Sequence, residues 1–168
     1  MTTITNPKGV DVPIQKLQIL LADELWTGNN CEFYGRVFPH ELNGVLKPVI
    51  HLSGNEYIEV MQDDTKDATV FFDLMGDVEI NEGQHSVTVG VVFSVNLEKL
   101  YPGGTYRTEY VESDALAIIN NSPFTPERII KGEKAFDPYS YDTAARVTMY
   151  PFYAFRIVTR LNYLPESC

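Results

Sequence analysis

The sharpest pattern in the chain is "SVTVGVVFSVNL", where Val87, Val89, Val91, Phe93, Val95 and Leu97 alternate with Ser86, Thr88, Gly90, Val92, Ser94 and Asn96. Alternation with a period of two predicts a long β-strand with one dry face and one nearly wet face. A different period governs the N-terminus. Ile14, Leu17, Leu21 and Leu25 recur at steps of three and four, which predicts an amphipathic helix over residues 12–26. Asp11 stands where it can cap that helix, Pro13 falls in its first turn, and Gly28-Asn29-Asn30 supplies its end. Trp26, at the margin of the stripe, reads as packing.

"KPVIHLSGNEYIEV" predicts a hairpin, with Ile50 and Leu52 before a Gly54-Asn55 turn and Ile58 and Val60 after it. "CEFYGRVF" predicts a short strand ended by Pro39. "ATVFFDLM" predicts another, alternating Val70, Phe72 and Leu74 against Thr69, Phe71 and Asp73. "YPGGTYRTEY" reads as a loop. "SDALAIIN" predicts a short helix capped by Ser113 or Asp114. "TPERIIKG" predicts a further helix, with Thr125 as cap, Pro126 in the first helical position and Gly132 as stop. Glu133 to Ala145 shows no usable period. Helix, strands, short helices and a last strand predict an α+β fold over residues 1–168 as one domain. Its sheet should be mainly antiparallel, with the N-terminal helix covering one face.

The last strand lies in "MYPFYAFRIVTRLNY", Met149 to Tyr163. Val147, Met149, Pro151, Tyr153, Phe155, Ile157, Leu161 and Tyr163 share one face, interrupted by Thr159, and should meet the core. The opposite face has an aromatic end, Tyr150 and Phe152, and a basic end, where Arg156 and Arg160 stand about 13 Å apart. Pro151 cannot donate to a ladder, so the strand should bend there or lie at an edge. A platform for single-stranded nucleic acid interleaves aromatic side chains with positive charge. The companion strands here offer Glu59, Asp73 and Glu79. The arginines therefore suit carboxylates, within the sheet or on another subunit.

Charge and composition narrow the class. Lys and Arg number 13 against 23 Asp and Glu, a net of -10, so no basic face is expected to grip phosphates. With 168 residues, 44% of them hydrophobic, the chain can bury a core without staples. No apolar run approaches the roughly 20 residues that span a bilayer, and "MTTITNPKGVDVP" has neither region of a secretory signal. Cys31 and Cys168 form no metal spacing and no disulfide framework. A cytosolic, reduced protein with no membrane partner is the expectation.

Catalytic chemistry finds little support. His40, His51 and His85 fall in different elements without ligand spacing, and His51, between Ile50 and Leu52, should point away from the core. Asp63, Asp64 and Asp67 in "QDDTKD" fail the calcium-loop pattern, because the sixth position is Ala68 and the twelfth Leu74. They read as a solvated acidic turn. "PGGTYR" lacks the lysine of a phosphate-binding loop. G-x-S-x-G, H-E-x-x-H and C-x-x-C are all missing from the sequence. Neither catalytic residues, cofactor nor metal is expected.

The order of elements resembles the tail terminator and head–tail joining proteins of long-tailed bacteriophages. The stretches that carry the resemblance are "VPIQKLQILLADEL", "KPVIHLSGNEYIEV", "SVTVGVVFSVNL", "SDALAIIN" and "FRIVTRLNY". The resemblance implies a structural virion protein in the tail or neck, assembled in the host cytoplasm. Copies would form a ring, usually a homo-hexamer, that caps the tail tube protein and docks to the head connector or neck protein. DNA would pass without specific binding through a lumen whose acidic candidates are Asp63, Asp64 and Asp67. Tyr150, Phe152, Arg156 and Arg160 are the candidates for a subunit or partner interface. The rival expectation is that the Glu133-to-Ala145 segment covers that face within the same chain. A second class stays open: a small ligand-binding domain or enzyme whose pocket is lined by Tyr150, Phe152 and Tyr153.

Overall fold

A computed structural model describes residues 1–51, 57–60, 65–103, 108–140 and 149–164. The fold is α+β: an N-terminal helix and short helices, the first of them α2 (Leu97–Leu100), a mixed six-stranded sheet that is mostly antiparallel, and a smaller antiparallel sheet. The large sheet runs in the order β1 (Cys31–Arg36), β5 (Ala68–Leu74), β7 (Gln84–Asn96), β9 (Phe152–Tyr163) and β8 (Phe124–Lys131), with β6 (Glu79–Asn81) beside the start of β7. β1 and β5 are parallel, and the other pairs are antiparallel. The small sheet is β2 (Phe38–Leu42), β3 (Val45–His51) and β4 (Tyr57–Glu59).

The valine alternation does what its period requires. Val87, Val89, Val91, Phe93, Val95 and Leu97 all enter the main core, with Leu17 and Leu21 of α1 (Asp11–Glu24) and Val111, Ala115 and Ile119 of α3 (Thr108–Ile119). Phe93 stacks on Phe155 across the β7–β9 pair at 4.6 Å, and Trp26 meets Phe93 edge-on, as the packing reading expected. The opposite face of β7 is not wet. Gly90, Val92, Ser94 and Asn96 are buried, and Val92 joins a second core with Phe71, Ala154, Ala135, Phe136 and Tyr139. That cover comes from a 3₁₀ helix (Gly132–Phe136) and the residues after it. It carries no period because it crosses the sheet as a strap, each side chain facing its own surroundings.

Several local expectations are corrected. Asp11 does not cap α1: Val10 precedes the helix without a side-chain cap, and Asp11 instead forms a two-point ion pair with Arg36 at 2.8 and 2.9 Å. The helix stops at Glu24, and the chain turns with Trp26 at φ 51° before Gly28 at φ 91°. Pro39 does not end a strand but lies in β2 opposite Pro48. Ser113 and Asp114 are mid-helix residues on the exposed side of α3, which begins at Thr108. "TPERIIKG" is strand β8 rather than a helix. An isolated helix of one or two turns has little stability of its own, whereas β9 offers a free ladder to Ile129 and Ile130. Pro126 is tolerated because β8 is the edge strand, with a register shift between Pro126 and Arg128. Met149, expected in the core, is 66% exposed, because β9 begins only at Phe152. Leu52, Gly54, Asn55, Val147 and Cys168 lie outside the described residues.

Gly90 occupies the middle of β7 for a reason of space. A Cβ there would stand 3.0 Å from Cδ of Arg156 and 3.1 Å from Sδ of Met75. Gly90→Ala should therefore destabilise the protein by about 1–3 kcal/mol, as overpacking does, measurable by denaturant unfolding. Wild-type stability in that variant would contradict this account of the glycine.

Candidate functional site

The outer face of β9 is the surface that the sequence singled out, and its basic end is mostly internal. Arg156 is 1% exposed. Its Nε donates to the carbonyl of Ala135 at 2.8 Å and its Nη2 to that of Asp137 at 2.6 Å. Nη2 also stands 3.5 Å from the carboxylate of Asp73, which accepts a 2.8 Å hydrogen bond from the Tyr139 hydroxyl. Burial pushes the Asp73 carboxyl above its ordinary value, while Tyr139 and Arg156 pull it back. The strap is thus tied down by a buried guanidinium. Arg156 is not a seam residue: the chain covers it itself, as the rival expectation held for this part of the face. Its pairing with Asp73 matches the carboxylate preference read from the sequence.

Arg160 lies further along, half-exposed between Glu79 at 3.3 Å and Glu127 at 3.2 Å. These are surface pairs that solvent screens, so they add little to stability. At the other end of β9, Tyr150 is 50% exposed and Phe152 is half-buried. Tyr150, Phe152 and Tyr153 do not line one cavity. Tyr153 points into the main core and donates its hydroxyl to Glu112, while Phe152 faces the opposite side. Asp63 and Asp64 lie outside the described residues. Asp67 is not a bare acid: it accepts from the main-chain N–H of Asn30 at 2.8 Å and pairs with Lys99 at 3.5 Å.

A concave surface that sequence reasoning missed lies between the N-terminal segment, the start of α1 and the small sheet. It encloses about 520 Å³. The Asp11–Arg36 pair lines one side, with the guanidinium 4.5 Å from the Phe38 ring centroid. Tyr57 forms the other side, stacked on His40 and edge-on to His51. His51 is exposed and turned from the core, as its place in the strand implied. The groove exists because Asn43-Gly44, at φ 55° and 76°, reverses the chain between β2 and β3. Asn-Gly is the residue pair that suits a two-residue hairpin turn, so "ELNGVL" held the missing signal. Cys31 is half-buried at the edge of the main core, and burial pushes its thiol up to about 12, so it stays protonated at neutral pH.

Comparison with protein-family models, curated proteins and solved structures yields no match for this chain. The functional reading therefore rests on the arrangement of its own residues.

Proposed function

We propose that the chain is a ring-forming subunit of a virion tail terminator, capping a tail tube and joining it to a head connector. The observation that supports this most is the two-ended distribution of exposed apolar side chains. His85 pairs with Tyr163 and Asn96 with Phe152, so β7 and β9 run together for 12 residue pairs, roughly 35 Å. At one end stand Ile80, 67% exposed and paired with His85, and Leu164, 74% exposed. Beyond the other end stand Met149 and Tyr150. Isolated apolar side chains on a surface are ordinary, but clusters at the ends of a rigid spine suit contacts on two sides. A closed ring needs two different complementary surfaces on every copy, and a joining ring needs a free end toward each neighbour.

Charge supports the same reading. A net of -10 keeps free subunits apart and disfavours a grip on DNA phosphates. The groove of about 520 Å³ favours the second reading, a small ligand-binding domain. Solution mass measurement together with negative-stain imaging separates the two. The expected result is a ring, free or formed on purified tails that lack their terminator. A strict monomer that leaves such tails unable to join heads would overturn the proposal.

A further inference from the structure

We infer that the β6 end of the large sheet is a docking patch for one of the two joining partners, a protein that presents an apolar surface rimmed by lysine or arginine. This rests on the reading above and names the partner's chemistry. Register places the patch. Ile80 stands opposite His85, and His85 opposite Tyr163, so β6, β7 and β9 each give one side chain to a row on a single face. The imidazole meets the Tyr163 ring edge-on at 5.3 Å. His85 and Tyr163 lie two residues from Val87 and Leu161, which are both in the main core, so the row continues the face that α1 and α3 cover. Here the cover has ended. Ile80 is 67% exposed, and Val78, which leads into β6, is exposed as well.

The fringe of the row is acidic. Asp77 precedes β6 and Glu82 sits in the turn between β6 and β7. Both are exposed, and neither has an ion pair among the described residues. Glu79 faces the other way and is held by Arg160 of its own chain. Unpaired carboxylates around an apolar centre select a partner by sign: they attract a basic rim and repel an acidic one. A second copy is the poorer fit, because it carries the same net charge of -10. The patch is also preorganised. All three residues of β6 are in register with β7, and Glu82-Gly83, at φ 47° and 84°, makes the two-residue turn. Docking there orders little new backbone.

Binding to each purified partner, measured separately, tests the assignment: tails that lack their terminator, and heads that carry their connector. Ile80→Lys, and independently the pair Asp77→Lys and Glu82→Lys, should weaken binding to one of these at least about tenfold and leave the other unchanged. Added salt should weaken wild-type binding to that same partner, because the rim contacts are exposed charge pairs. Ile19→Lys, an exposed position on α1 outside the row, should bind both partners like the wild type. Each substituted site is exposed, so the melting temperatures should match. If the patch variants bind both partners normally, the patch is wrong and the ring reading stands. If they lose both at an unchanged melting temperature, the patch is the seam between copies and the basic partner is refuted. If the wild type binds neither, both readings fall.

Discussion

Replacing Arg156 by methionine should destabilise the protein by about 3–5 kcal/mol, the usual result of leaving a buried charge without its partner. Methionine keeps much of the apolar stem that packs beside Gly90, so the loss falls on the guanidinium. That group holds the carbonyls of Ala135 and Asp137 and faces the Asp73 carboxylate. Without it the strap loses its anchor, and the Asp73 carboxylate is left leaning on the Tyr139 hydroxyl. The melting temperature should fall by about 10 °C for a chain of this size. Adding Asp73→Asn should restore part of the loss by removing the stranded charge.

The same cluster has a pH signature. The Asp73 carboxyl is held above its ordinary 3.8, chiefly by burial. A raised carboxyl binds its proton more tightly in the native state, so its contribution is full below pH 3.8. It is lost as pH rises through the folded value. Arg156 opposes that rise, so the deficit of Arg156→Met should be smallest near pH 3.8 and widen toward neutrality. Denaturant unfolding of both proteins across this range measures it. A deficit that grows on acidification, or none at pH 7, would refute the assignment.

Leu21→Asp carries the other large effect. Leu21 is fully buried between α1 and the main core, and the pocket around it is apolar. An aspartate there loses the burial of a leucine and gains a carboxyl without a partner. Together these should cost about 3–5 kcal/mol and a melting-temperature drop of about 10 °C. Leu21→Met, which conserves volume, should cost less than about 1.5 kcal/mol. An unchanged transition in the aspartate variant would mean that α1 does not pack as described.

Between sequence and structure, the division follows from where each signal resides. Elements with a dry and a polar face announce their period. The sequence alone determined α1 from its leucine stripe and β7 from its valines. It also determined the α+β class and the carboxylate preference of the arginines, which is met by Asp73 of β5 and Glu79 of β6, each lying across β7 from β9. Thr125, Pro126 and Gly132 mimic helix punctuation in a segment whose conformation depends on the free edge of β9, and that edge exists only in three dimensions. The nearly wet face of β7 became a second core through a strap with no period of its own, and this moved Arg156 from a candidate seam to the interior. The groove gathers Asp11, Arg36, His40, His51 and Tyr57 from positions up to 46 residues apart along the chain, and Asn43-Gly44 was its one local trace. Backbone period is a local property that sequence carries; which faces are covered, and by what, is decided by tertiary contact.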